Sequence, residues 1–430
     1  MPRDIYLPLY GRIEHSDHEN MAWDLCQTPE LSRLRDISLA CTPSRFVPHG
    51  QAANRFQHSV GVSVLARMLV SNNPELSEVR DLLVAACLLH DAASPPFSHV
   101  AEPFLFARTG LHHEQAVAEL LADEATLVSS EEELLTEKID GSQASSLSNN
   151  SQARQVLERY SVDPEAVIDV ICGRGIYGPL VAGSIDLDNL DNSLHLLISL
   201  GFTGRLPYKP KQLVKAFGFQ DQQAYINLDE NTFQQLLGWR ATRGELYSRL
   251  GSLVYLASTS MLYRAIELVD GAGYLPDNFF SMDETQALVT LKAAHSGANK
   301  LLSSLELWQQ YPCHLWNFAG QEDPRVSALY GDVIARRSAT DSLAELLSVP
   351  TEDLCLYAGR KQGHKAIKLP FHGPQNLTDA ALEAFQSTSA CQQVAVFIDK
   401  RHQLSPDKVQ AAFSELLKDL PDGPPSPYFF

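Results

Sequence analysis

From about residue 20 to residue 305 the apolar residues recur at helical spacing, interrupted by short breaks rich in Gly, Pro, Ser or Asn. A chain patterned this way is restricted to a largely α-helical fold for most of its length. After residue 350 the period changes. Leu354–Tyr357, Lys365–Pro370 and Val394–Ile398 read as short strands, and Pro406–Leu420 reads as a helix. The expectation is a mainly α protein with a helical domain over 1–305 and a smaller C-terminal helical and α+β region over 306–430. One stretch, about 129–152, is too polar to cover a core and reads as a mobile loop between helices. The tail from Asp422 reads as extended, and no internal repeat is visible.

Charge and cysteine usage narrow the partners. Lys plus Arg number 34 against 52 Asp plus Glu, a net charge of −18. Such a surface repels extended nucleic acid and anionic membranes, so a phosphate-bearing ligand needs a locally basic pocket. Seven cysteines without a CxxC pair argue for a reducing compartment rather than a disulfide framework. The N-terminus shows no charged segment followed by the roughly 7–15 apolar residues of a secretory signal. Leu82–Leu89, among the longest apolar runs, is far short of the roughly 18 residues a spanning helix needs. A cytoplasmic location is the expectation.

Two histidines stand out against this pattern. His58 begins a stretch whose apolar stripe is Val62, Leu65 and Leu69, and His90 ends one formed by Val79, Leu82, Leu83 and Ala86. Both therefore point inward, and Asp91 follows the second. A metal ion would satisfy the three, and so would hydrogen bonds within a core. Further along, Asp188, Asp191 and His195 are spaced i, i+3, i+7 and share one face of a helix. They either enter the same cavity or form an acidic helix start with Asp186 or Asp188 as N-cap.

The order His58, His90-Asp91, Asp188, together with Leu7–Ile13, Thr28–Ile37, Asn54–Val62, Leu88–His99, His112–Gln115 and Ile185–Asp191, resembles the HD-domain metal-dependent phosphohydrolases. More narrowly it resembles the deoxynucleoside triphosphate triphosphohydrolase branch, most strongly from about residue 5 to 200. The resemblance implies a multi-helix HD-domain fold and one divalent ion held by His58, His90, Asp91 and Asp188. Two imidazoles and two carboxylates suit Mn, Fe, Zn, Ni or Co alike. Such an ion polarises a phosphoryl oxygen and acidifies water. The resemblance further implies that Arg55 contacts substrate phosphate and that His113, titrating near neutrality, moves protons with Glu102. A homo-oligomer is implied on the resemblance alone. His112 is expected to face solvent.

The departures from the family pattern bear on substrate. Ser94 stands where the branch carries a second histidine, Leu39 where a glutamine reads the sugar, and Asn189 and Asn192 where a lysine and a tyrosine read the nucleotide. A triphosphate then needs its cations from elsewhere, from Arg240, Arg243, Arg205 or Lys209, and the expected substrate-binding residues are Arg55, Asn189 and Arg243. The leading expectation is a metal-dependent phosphohydrolase acting on a nucleotide or related phosphate ester. The alternative is a nucleotide-responsive binding or regulatory protein with weak or no hydrolysis. A third is oxygen chemistry at a two-metal site, with His113 and His195 as the added ligands.

Overall fold

A computed structural model of the chain describes residues 4–14, 20–47, 53–122, 151–202, 204–319, 323–361, 366–387 and 391–420. The helical expectation holds: helices fill most of the chain, and the strands form three small sheets. No described helix is long and apolar enough to cross a membrane. The polar stretch expected over 129–152 lies outside the described residues up to position 150, and Ser151 already caps the helix Gln152–Arg159.

The first layer is the pair of helices Arg55–Asn72 and Arg80–Leu89. Asn54 starts the former by accepting a hydrogen bond from the Gln57 amide, at 2.8 Å. Val60, Val62, Leu65 and Leu69 of this helix are fully buried against Leu83, Ala86 and Leu89 of the second. Each fully buried Leu or Val stabilises the fold by about 1.5–3 kcal/mol before chain entropy is counted. The helix Leu187–Ser199 crosses the first pair, with Asp186 as its N-cap rather than Asp188. Its stripe Leu187, Leu190, Leu194 and Leu197 is buried, which turns Asp188 and Asp191 toward His58.

An N-terminal hairpin, β1 (Asp4–Leu7) and β2 (Gly11–Glu14), closes over this layer. A second hairpin, β3 (Phe217–Gln220) and β4 (Gln223–Asn227), turns through Asp221 and Gln222, both at positive φ. It lies inside the stretch read as helical and is too short to register against a helical period. The third sheet has β8 (Cys391–Ile398) at its centre, flanked on both sides in antiparallel fashion by β5 (Cys313–Ala319) and β6 (Leu354–Lys361).

The strand expected over Lys365–Pro370 is not formed. Residues 366–370 are irregular, Lys365 lies outside the described residues, and only β7 (Phe371–His372) pairs, parallel to β4. Pro370 has no N–H and joins the sheet edge only by accepting from the Ile226 amide. That pairing returns the C-terminal chain to the helical part: Ile367, Ala381 and Phe385 sit in the core of the first layer. Tyr357, Ala395 and Phe397 likewise pack with Met261, Ile266 and Leu301, so buried clusters run across the boundary expected at 305/306.

Candidate metal centre and its cavity

The helix packing brings four of the expected ligands together. His58 Nε2 lies 3.2 Å from His90 Nε2, 3.0 Å from Asp188 Oδ1 and 3.8 Å from Asp91 Oδ2. His90 Nε2 lies 3.6 Å from Asp91 Oδ2 and 4.0 Å from Asp188 Oδ1. Ligand atoms each about 2.1 Å from one ion stand roughly 3–4 Å apart; His58, His90 and Asp188 form one such group, and Asp91 Oδ2 adjoins it at 3.6 and 3.8 Å from the two imidazoles.

The hydrogen bonds behind the ligands agree with that use. His58 Nδ1–H donates to Asp191 Oδ1 at 2.7 Å, and His90 Nδ1–H donates to the Cys87 carbonyl at 2.8 Å. Each ring is thereby held with Nε2 toward the cluster. Asp191 itself is fully buried and also accepts from His195 Nδ1–H at 2.6 Å and from the Tyr10 hydroxyl at 2.5 Å. A Cβ on Gly61 would come within 2.3 Å of Asp191 Oδ2, so glycine is needed there for the two helices to approach.

Asp91 supplies the sharpest observation. Its Oδ1 accepts from the Arg55 guanidinium and, at 3.2 Å, from the Ser94 hydroxyl. Its Oδ2 is buried with no hydrogen-bond partner and faces the two imidazoles. A buried carboxylate oxygen without a donor is costly, and a cation at the cluster would satisfy it. Burial opposes the Asp91 charge, but Arg55 and the neighbouring imidazoles outweigh it and hold its pKa well below the usual range. Burial likewise opposes a charge on His58, yet hydrogen bonds to Asp188 and Asp191 lift its pKa to about 10. The position held by the Nε2 proton is the one a divalent ion would take.

A second group sits across Asp91. Glu102 bridges two imidazoles, accepting from His99 Nδ1–H through Oε2 and from His113 Nδ1–H through Oε1, both at 2.8 Å. His113 Nε2 lies 3.7 Å from Asp91 Oδ1. Burial would lower the His113 pKa, but Glu114 and Glu102 raise it to about 10. The two carboxylates thus favour the protonated His113 ring. Phe97 and Ser98 both adopt left-handed φ, 64° and 52°, which costs residues other than glycine about 1 kcal/mol or more each. That turn sets Ser98 Oγ at 2.8 Å from Arg55 Nε and places His99 over Glu102.

A cavity of about 620 Å³ opens from this cluster. Arg55, His58, His90, Asp91, His113, Asp188 and Asn189 line it, together with Leu39 and His99. Three sequence expectations change. Arg243 lies behind the wall: it donates to Asn189 Oδ1 at 2.5 Å and stacks between Trp239 and Tyr247, so it reaches the cavity only through Asn189. Asn189 in turn is fastened to the buried Asp186, whose pKa burial and Asp188 push up to about 7. His195 lies behind His58 and not beside His113, so the two do not complete a second metal site. His112, expected in solvent, caps the helix His113–Leu120 with Nδ1 3.6 Å from Glu102.

Tyr10, His99, Arg336, Tyr357 and Gln393 were given no role from sequence. Of these, Tyr10 and His99 lie in stretches that carry the resemblance, Leu7–Ile13 and Leu88–His99, and the other three left no signal.

Comparison with known proteins points the same way. A family model for the HD domain matches residues 55–162. An uncharacterized protein of Bacillus subtilis, YwfO, is 41% identical over 90 residues, 20% of this chain and 20% of its own length. The deoxynucleoside triphosphate triphosphohydrolase SAMHD1 of Gallus gallus is 37% identical over 124 residues, 26% of this chain and 20% of that protein. The chain spans about a fifth of the length of these curated relatives. A phosphohydrolase from Bacteroides thetaiotaomicron shares the fold, with a TM-score of 0.63 and 17% identity over 92% of this chain and 100% of that one. A hypothetical protein from Aquifex aeolicus does so at 0.60 and 16% identity, over 97% and 100%.

Proposed function

We propose that this HD-domain chain is a metal-dependent phosphohydrolase acting on a nucleotide or related phosphate ester, with His58, His90, Asp91 and Asp188 as ligands of one divalent ion. The observation that carries the reading is the unpartnered, buried Asp91 Oδ2 facing two imidazoles whose other nitrogens are already fixed. When bound, the ion supplies Lewis acidity to a phosphoryl oxygen and an acidified water.

The chain's own residues do the rest. Arg55, on the cavity wall and bonded to Asp91 and Ser98, adds fixed positive charge beside the reacting phosphate. His113, held protonated by Glu102 and Glu114, is placed to donate a proton to the departing oxygen. Leu39, Leu196, Leu246 and Leu256 exclude water from the part of the cavity beyond the ligands. The remaining expectations, a cytoplasmic location and a homo-oligomer, belong to the same reading and are checked by fractionation and light scattering.

Purified protein supplied with Mn, Fe or Co is expected to hydrolyse at least one ester in a broad panel. His90→Ala or Asp91→Ala is expected to lower the rate by on the order of 10³-fold, about 4 kcal/mol of barrier. Metal-loaded protein inactive across that panel would contradict the proposal.

One observation favours a second reading, a nucleotide-responsive binding protein with weak or no hydrolysis. Ser94 occupies the branch's histidine position, and its hydroxyl is spent on Asp91. Ser94→His producing new hydrolytic activity, in a protein whose wild type binds nucleotides without turnover, would decide for it.

A further inference from the structure

The cavity extends past the metal-ligand cluster to a wall that includes Tyr263, Arg336, Tyr357 and Gln393. Arg336 belongs to the helix Val333–Leu347, Tyr357 to β6 and Gln393 to β8. Arg55, Cys41, Tyr357 and Arg336 all line this one cavity, so the two arginines share a wall.

Arg336 is only 4% exposed. Its guanidinium carbon sits 3.7 Å from the centroid of the Tyr263 ring, and Nη2 donates to the Leu356 carbonyl at 2.6 Å. Both contacts fix the side chain, and neither cancels its charge. The nearby acids bond other arginines, and Glu267, whose carboxylate also feels the Arg336 charge, keeps Oε1 without a hydrogen-bond partner. Glu267 and Asp341 bond Arg264, and Asp270 pairs with Arg108 and Arg337. Among the described residues, no carboxylate comes within salt-bridge distance of Arg336. Arginine stays charged in any protein environment, and buried charges are almost always paired. An immobilised guanidinium on a cavity wall with no carboxylate in direct contact is free to receive an anion that enters with a ligand.

We infer that Arg336, with Tyr263, Tyr357 and Gln393, forms a second anion subsite that receives a charged group of the substrate other than the phosphate being cleaved. The inference rests on the phosphohydrolase reading of the same cavity and narrows its substrate class to phosphate esters whose leaving group carries its own phosphate or carboxylate. Two further observations fit. The volume of about 620 Å³ is that of a whole small-molecule site rather than a pocket for one phosphate. Asn189 leaves the helical wall without the lysine of related enzymes, and Arg243, which would replace it, is turned away behind Asn189.

The test compares Mn-loaded wild type, Arg336→Gln and Arg336→Lys on p-nitrophenyl phosphate, whose leaving group has no second anion, and on a nucleoside bisphosphate. Arg336→Gln is expected to raise KM for the bisphosphate roughly 10–100-fold, the usual effect of losing a charged hydrogen bond, and to leave p-nitrophenyl phosphate kinetics unchanged. Arg336→Lys should fall between. Equal losses on both substrates, or no loss on either, would overturn the subsite. If Arg336→Gln does not fold, Arg336→Lys, which keeps the charge but not the planar fork, carries the same comparison. Calorimetry separates this inference from the reading beneath it. If wild type hydrolyses neither ester, the phosphohydrolase reading is decided on the broad ester panel, and the subsite is judged by binding alone. Bisphosphate affinity that drops in the Arg336 variants supports it, and unchanged affinity refutes it. Inorganic phosphate binding as tightly as the bisphosphate, and equally dependent on Arg336, would assign the position to a free anion and refute the substrate assignment.

Discussion

The two walls of the cavity treat their polar groups in opposite ways. On the helical wall each imidazole has one nitrogen fixed from behind, by Asp191 for His58 and by the Cys87 carbonyl for His90, and presents the other. What is left open there is an acceptor, Asp91 Oδ2. On the wall from the C-terminal region what is left open is a positive charge, Arg336, stacked on Tyr263 with its neighbouring acids bonded to other arginines. On the reading proposed above, one wall takes a cation and the other an anion, and a phosphate ester with a second charged group engages both.

The comparison can be broken from the helical side first. Asp191→Asn removes the carboxylate that orients His58, and loss of such a supporting partner typically lowers metal affinity 10–100-fold. Chelator competition on the Mn-loaded protein measures it, and unchanged affinity would show that the wall is not organised as described. Gly61→Ala is a milder form of the same test. The added methyl meets Asp191 Oδ2 and the Tyr10 ring, so a loss of about 1–3 kcal/mol in denaturant unfolding, with weaker metal binding, is expected.

A pH-dependent effect belongs to Glu284, which accepts from the Ser38 amide at 2.9 Å and its hydroxyl at 2.8 Å beside the cavity residue Leu39. Burial pushes its pKa up from 4.5 to about 7. The folded state then binds the proton more tightly than the unfolded chain. The stability linked to Glu284 is full below about pH 4.5 and is lost as the pH rises through about 7. Melting curves of wild type should fall relative to Glu284→Gln across that window, and a constant difference would refute the assignment.

How much was legible in the sequence follows from where each contact lies. His58 and His90 each sit in a run with its own helical stripe, so periodicity turned them inward, while the resemblance added Asp91 and Asp188 to the group. The N-cap role of Asp186 was readable for the same local reason. Contacts between distant segments left no such trace. Tyr10 reaches Asp191 across 181 positions, and Arg336 joins the cavity only because β6 and β8 carry the C-terminal chain back against the helix Leu253–Gly271. Arg243 was placed in the cavity because its charge was needed there, but the rings of Trp239 and Tyr247 and the Asn189 amide hold it behind the wall. The β3–β4 hairpin turns at Asp221-Gln222, a pair without the glycine that marks most tight turns, and so carried little signal.

The central claim is that four side chains from three helical segments share one cation. A crystal of Mn-soaked protein, measured for anomalous scattering, tests it directly. The account predicts one strong peak at roughly 2.0–2.4 Å from His58 Nε2, His90 Nε2, Asp91 Oδ2 and Asp188 Oδ1. No peak at that position, or a peak only among His99, Glu102 and His113, would contradict it.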